Sequence, residues 1–260
     1  MKEIFDPIRR HYIFSAPCAE LAQHIEFYSE SIVNDQVFIV EMFPSWTPTI
    51  YINLGNPYQI SIGDTITDIS KNTDLLVLRD RKTIRHNFPG DHIFTVKFNP
   101  GGLEAILGIS QLHFRQKIVP LKDVLSKELI NNIKKAFSFD ARKKMIEEHL
   151  IHQLSWQKTD HYLTFVQDLT DAYQASGMQF NVSQLAEKYF ITSKTVNRYF
   201  NKVVGINPKN YFSIVRARQA LTAYKANKQT FNPCDFGYYD GSHFYREAVR
   251  FTGIPLRLIQ

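Results

Sequence analysis

Cysteine is nearly absent. Cys18 and Cys234 are the only two in 260 residues, and they lie far apart, so a disulfide framework is not expected and the pair cannot by itself hold a zinc ion. No run approaches the ~18 apolar residues of a membrane-spanning helix. Residues 1–7 place Glu3, Asp6 and Pro7 where a signal peptide needs an apolar stretch, so a cytoplasmic location is expected and no membrane association. Catalytic signatures are missing too. The chain has no Gly-rich phosphate loop, no nucleophile elbow and no paired-carboxylate motif. His86, His92 and His113 fall near the strand-forming region without a His-x-His pair, and His24, His149, His152 and His161 fall in helical stretches as ordinary surface or boundary residues. Neither a metal, a cofactor nor an enzymatic activity is expected.

What is present is an uneven charge. Residues 181–260 hold 12 Lys and Arg against 4 Asp and Glu, a net +8, whereas residues 1–180 hold 19 against 21, a net −2. An excess confined to one end points to a polyanionic partner there, although a solvated basic surface is the plainer reading of charge alone. The length suits two domains, each with its own core.

Residues 36–99 carry strand signals. The segments 36–42, 49–54, 58–63, 75–78 and 92–99 are β-branched, aromatic or alternating, and Gly55, Asn56 and Pro57 mark a turn. In 92–99 the alternation sets Phe94, Val96 and Phe98 on one face and Thr95 and Lys97 on the other. Short strands with frequent turns suggest a sandwich or a small barrel. Pro100, Gly101 and Gly102 end the sheet, and 103–109 forms a short helix. Two longer helices follow: 127–137, with Leu129, Ile130, Ile133 and Phe137 at helical spacing, and 141–154, with Met145, Ile146, Leu150 and Leu154. Their apolar stripes serve either a homodimer seam or packing within the monomer. Residues 155–159 are the expected linker.

From Asp160 the pattern is helical throughout. Tyr162, Phe165, Val166, Leu169 and Tyr173 share a face, and Gly177 stops the helix. Asn181 and Gln184 form a capping box, with Phe180 as a staple onto Leu185. Thr192 caps the next helix and Gly205 ends it. Asn207 and Pro208 start a long helix. This is a helix-turn-helix pattern: a short apolar helix, a tight turn, and a second helix that buries one face and exposes Lys, Asn and Arg on the other. A second copy surrounds Gly237, Tyr238, Tyr239 and Asp240, followed by His243, Phe244, Tyr245 and Arg246.

Over residues 160–260 these motifs resemble the AraC family of bacterial transcription regulators. The likeness rests on Leu185 and Ala186, Thr192, Thr195, Val196, Arg198 and Phe200. It extends through Gly205-Ile206-Asn207-Pro208, Tyr211, Arg216 and Ala220, then Gly237 to Asp240, Ser242-His243-Phe244, Arg246 and Phe251-Thr252-Gly253-Ile254. The N-terminal part resembles the cupin-like sensor domains of such regulators, through Asn53-Leu54-Gly55, residues 93–98, Pro100 to Leu103 and Leu107-Gly108-Ile109.

The resemblance implies an α+β multidomain chain: a cupin-like β-barrel domain with trailing helices over 1–157, and an all-α double helix-turn-helix domain over 158–260. It implies sequence-specific binding of double-stranded DNA, with a possible small-molecule effector, a homodimer and an RNA polymerase contact as further partners. Base contacts would come from Lys194, Asn197 and Arg198, which share one helical face, and from Ser242, Tyr245 and Arg246. Phosphate contacts would come from Thr192, Lys202, Lys209, Asp240 and Arg250. Arg216 reads as an internal ion-pair residue. An effector pocket could be lined by Trp46, Tyr51, Tyr58 and Phe98, with ordinary core burial as the alternative. The chain departs from the pattern at Phe190, where Gly is common, at Pro233, which is tolerable only at a helix start capped by Asn232, and at Ala248, in place of a core aromatic. The alternative function is a small-molecule-binding cupin-like protein whose DNA-binding domain has degenerated.

Overall fold

The computed structural model describes residues 12–33, 37–157 and 160–258. Gln36 of the first expected strand, and Lys158 and Thr159 of the expected linker, lie outside the described residues. Ten strands come first: β1 (Tyr12–Ser15), β2 (Ile25–Ile32), β3 (Phe38–Met42), β4 (Pro48–Asn53), β5 (Tyr58–Ile62), β6 (Thr65–Ile69), β7 (Leu75–Leu78), β8 (Thr83–Asn87), β9 (His92–Phe98) and, after a short helix α1 (Gly102–Leu107), β10 (Ile118–Pro120). They form two sheets, β1-β2-β9-β4-β7-β10 and β3-β8-β5-β6, whose neighbouring strands pair antiparallel. The expected barrel is therefore corrected to an open sandwich, since no ladder joins the two sheets among the described residues.

The sandwich has two cores because its larger sheet is covered on both faces. Val40, Met42 and Ile60 of one sheet meet Tyr51, Val77 and Ile93 of the other. On the far face Ile50, Ile52, Leu76, Phe94 and Val96 receive α1, α2 (Lys127–Lys135) and α3 (Phe139–Trp156) through Ile106, Ile133 and Leu150. Alternation along β9 is as the sequence suggests, but its polar face does not meet water. Lys97 is fully buried (0% exposed) and Thr95 is buried beside it, between the sheets. Ile133 and Leu150 are buried in the monomer, so the expected apolar stripes pack internally, and charge substitutions there would disrupt the fold rather than a dimer. Phe137 is corrected from a stripe residue to an exposed one (94%), because α2 ends at Lys135 and leaves it in the α2–α3 turn. The expected linker residues Ser155 and Trp156 belong to the last turn of α3.

His24 accepts the backbone N–H of Asn99 on its carbonyl and is half-buried, and that burial pushes its imidazole below the ordinary range. His149 is lowered likewise, by burial and then by nearby His152. Protonation thus favours the unfolded chain, whose histidines titrate near 6.5. Stability should be level above that pH and fall as pH drops below it. Urea midpoints between pH 7.5 and 5 check this, and His24→Gln should flatten the slope; an unchanged slope would contradict it.

The remaining helices are α4 (His161–Ala175), α5 (Val182–Lys188), α6 (Ser193–Val203), α7 (Pro208–Ala226) and α8 (Gly241–Thr252). Leu169, Leu185, Val196, Phe200 and Phe212 form one core, and Ala217, Ala220, Leu221, Phe244 and Ala248 a second. Both are continuous with the sandwich domain. The buried Gln111 amide donates to the carbonyls of Trp46 and Val204, and Glu26 bridges buried Lys97 (3.2 Å) and Arg218 of α7 (3.2 Å). Gly205 ends α6 at φ +92, where a Cβ would stand 2.5 Å from Leu112, so only glycine fits. Among the described residues no helix is long and apolar enough to cross a membrane.

Candidate nucleic-acid interface

The first unit, α5 and α6, is built as its sequence directs. Asn181 accepts the backbone N–H groups of Ser183 and Gln184, while Gln184 accepts that of Asn181 in return, closing the capping box. The Thr192 hydroxyl accepts the N–H of Thr195 and starts α6. Val196, Phe200 and Val203 are buried, Tyr199 is half-buried, and Lys194, Arg198, Asn201 and Lys202 are exposed. Lys194 and Arg198 therefore share an open face, with the Arg198 guanidinium 5.2 Å from the Tyr199 ring centre. Asn197 lies on that face but is half-buried, and its amide donates one N–H to the Ser193 carbonyl one turn back (2.8 Å), which leaves its second N–H and its oxygen for a base.

Phe190, in the turn between α5 and α6, has φ +55 and is 97% exposed. A ring held in the left-handed region with nothing to pack against is strain without compensation. Phe190→Gly should raise stability by about 1 kcal/mol, since glycine adopts this backbone without steric cost. The check is the urea midpoint; a lower midpoint would mean the ring contributes packing.

The second unit is more economical. Its first helix is reduced to a four-residue 3-10 turn, Pro233–Phe236, which is the expected accommodation of Pro233: Asn232 caps it by accepting the N–H of Cys234, and Gly237 ends it at φ +72. The Asp240 carboxylate caps α8 by accepting the N–H of His243 (2.7 Å). Phe244, Glu247, Ala248 and Thr252 face inward, and Ser242, Tyr245 and Arg246 face out together. Asp240 brings negative charge, so it is a poor phosphate partner itself; the exposed N–H groups of the first turn are the better donors.

Behind α8 lies an ion pair. Arg216 of α7 donates to both carboxylate oxygens of Glu247 at 2.9–3.0 Å, and its guanidinium sits 4.5 Å from the Tyr238 ring centre. This is the internal role expected of Arg216. The expected phosphate contacts divide. Lys209 is exposed at the start of α7, beside a cleft of about 760 Å³ between α5 and α8. Arg250 is half committed, donating to the Ser213 hydroxyl (3.0 Å), 3.5 Å from Glu247 and over the Phe251 ring. Lys202 is exposed, 3.5 Å from the centre of the Tyr162 ring and 3.5 Å from the Asp160 carboxylate at the start of α4.

The four expected effector-pocket residues do not converge. Tyr51 and Tyr58 belong to the core between the sheets, Phe98 to the core under the helices, and Trp46 packs between the sandwich and the helical domain. The small cavity between the sheets, of about 30 Å³, is lined by Tyr51 with Phe14, Phe27, Val40 and Met42, and Arg79, Arg85 and Lys97 reach into it beside Ser29, Thr49 and Thr95. Only the interior face of alternating β9 could have hinted at this. A larger cleft of about 520 Å³ opens between the domains, lined by Gln23, Glu26, Val166, Gln167, Tyr211 and Arg218 among others. Among the described residues no three His, Cys, Asp or Glu come together as a metal site.

No family model matches the chain and no curated protein matches it. Among solved structures, ToxT from Vibrio cholerae is similar in fold at 8% identity, covering 88% of this chain and 96% of that one with a TM-score of 0.48. The AraC-like transcriptional activator CuxR is similar at 12% identity over 83% and 89%, with a TM-score of 0.36. A cupin domain of an XRE-family transcriptional regulator from Enterobacter cloacae covers 35% of this chain and 98% of its own, at 11% identity and a TM-score of 0.28.

Proposed function

We propose that the chain is a sequence-specific DNA-binding transcription regulator of the AraC type, with residues 1–157 as its sensor domain and 158–260 as its DNA-binding domain. The observation that carries this reading is the pair of capped helices, α6 and α8, each burying one face and leaving a basic and polar face open: Lys194, Asn197 and Arg198 on one, Ser242, Tyr245 and Arg246 on the other. Such a helix fits the major groove, and Arg or Lys can bond guanine there. The net +8 of residues 181–260 supplies affinity through counterion release.

The cleft between the domains is the better candidate for a small-molecule effector. The space between the sheets holds about 30 Å³, far below the ~300 Å³ at which ligand pockets begin, while the cleft holds about 520 Å³. Because its walls come from both domains, a ligand there would distinguish one domain arrangement from another, which is the requirement for control. A homodimer, if formed, must use surface other than the buried Ile133 and Leu150; exposed Phe137 and Trp156 are available. A contact with RNA polymerase is part of the same reading.

The test is binding of the full chain to pooled random duplexes as salt is raised. Affinity should fall steeply between 50 and 200 mM salt. A folded chain with no affinity at low salt would favour the alternative of a small-molecule-binding protein with a degenerate DNA-binding domain. The engagement of Asn197 and Lys202 within the fold is what keeps that alternative worth testing.

A further inference from the structure

Phe43 belongs by sequence to the sandwich domain and by packing to the second helix-turn-helix unit. It follows β3, and the residues after it, Pro44 to Thr47, lead into β4. It is 1% exposed, yet it clusters with none of the buried residues of either sandwich core. It belongs instead to the cluster that holds Ile214, Ala217 and Leu221 of α7, Tyr238, and Phe244 and Ala248 of α8, and its ring centre lies 5.3 Å from that of Phe251. Ala217 and Ala248 of the same cluster are fully buried.

The loop that delivers Phe43 is held by many bonds. The buried Arg79 donates from its guanidinium to the Phe43 carbonyl (2.8 Å), and its own carbonyl accepts the N–H groups of Ser45 and Trp46 (3.0 and 2.9 Å). Its N–H donates to Thr47, whose hydroxyl meets that of Ser45 at 2.7 Å. Trp46 sits at φ +53, and its carbonyl accepts the Gln111 amide that also grips Val204 beyond the end of α6. One rigid loop therefore supports both units: α6 through Gln111 and Val204, α8 through the ring of Phe43.

We infer that Phe43 is a positioning residue for DNA binding, supplied by the sensor domain to complete the core on which recognition helix α8 rests. The orientation of α8 relative to α6 is then set by the sandwich. This rests on the DNA-binding reading above.

The test uses the full chain carrying Phe43→Ala or Phe43→Leu and two readouts. The first is amide hydrogen exchange without DNA. Phe43→Ala should speed exchange in α8 by roughly tenfold or more, while α6 keeps its protection. The second is footprinting on the duplex that the wild-type chain selects from a random pool. Phe43→Ala should lose protection over the half-site of α8 only, and Phe43→Leu should restore most of it. If Phe43→Ala unfolds the whole chain, Phe43→Leu is read in its place, with a smaller rise in exchange still confined to α8. Unchanged exchange in α8, or equal losses in α6 and α8, would overturn the inference. A wild-type chain that selects no duplex would sink the DNA-binding reading while leaving the exchange result to judge Phe43 separately.

Discussion

Glu247→Ala is expected to cost the folded chain about 3–5 kcal/mol, because it leaves a buried guanidinium without its counter-charge. Arg216 and Glu247 are only 17% and 8% exposed, and the arginine makes its bonds to both carboxylate oxygens. Burial alone would lower the pKa of Arg216; the adjacent Glu247 carboxylate, together with Tyr173 and Tyr238, more than reverses this and holds it above its usual value. Removing the acid leaves the burial without the compensation. Glu247→Gln keeps one acceptor and should cost less. The double change Arg216→Met with Glu247→Leu should recover much of the loss, since apolar side chains of similar size are often neutral in place of a buried pair. Urea unfolding of the three variants checks the order. A loss under about 1 kcal/mol for Glu247→Ala would mean that water reaches the pair and screens it.

Arg198→Ala is expected to weaken binding to the selected duplex by about 1–3 kcal/mol, tenfold to more than a hundredfold, and to relax preference at one base pair. Arg198 stands clear of the core on the open face of α6. Lys202→Ala should act differently from a lost phosphate contact. Its ammonium is held by Tyr162 and Asp160, so the change should disturb the α4–α6 junction and leave base preference unaltered. Titrations on selected and random duplexes separate the two. Equal losses on both for Arg198→Ala would demote it to a backbone contact.

Local signals were legible in the sequence where one element decides the outcome. The capping box at Asn181, the cap at Thr192, the stop at Gly205, the start at Asn207-Pro208 and the accommodation of Pro233 all stand as their residues suggest, because each depends on bonds within a few residues. Arg216 was legible as an internal partner because a charge on a linking helix between two units has little water to face. What stayed hidden depends on distant parts of the chain. Alternation along β9 separates Phe94 from Lys97 but cannot tell that the second face is covered by the other sheet. Trp46 and Phe43 look like strand-end aromatics, and only the docking of two domains turns them into joints between them. For the same reason a fragment beginning near residue 160 would lack the Phe43 ring that joins the cluster under α8. Phe137 follows the helical spacing of α2 by one turn too many, and the spacing gives no sign of where the helix stops.

Hydroxyl-radical footprinting of the full chain on its selected duplex shows whether α6 and α8 read DNA together. The expected result is two protected segments on one face of the duplex, centred about one helical turn (~10 bp) apart. Arg198→Ala should weaken one of them and Arg246→Ala the other, and both should fade as salt is raised. A single protected segment that is indifferent to Arg246, or protection with no preferred sequence, would contradict it.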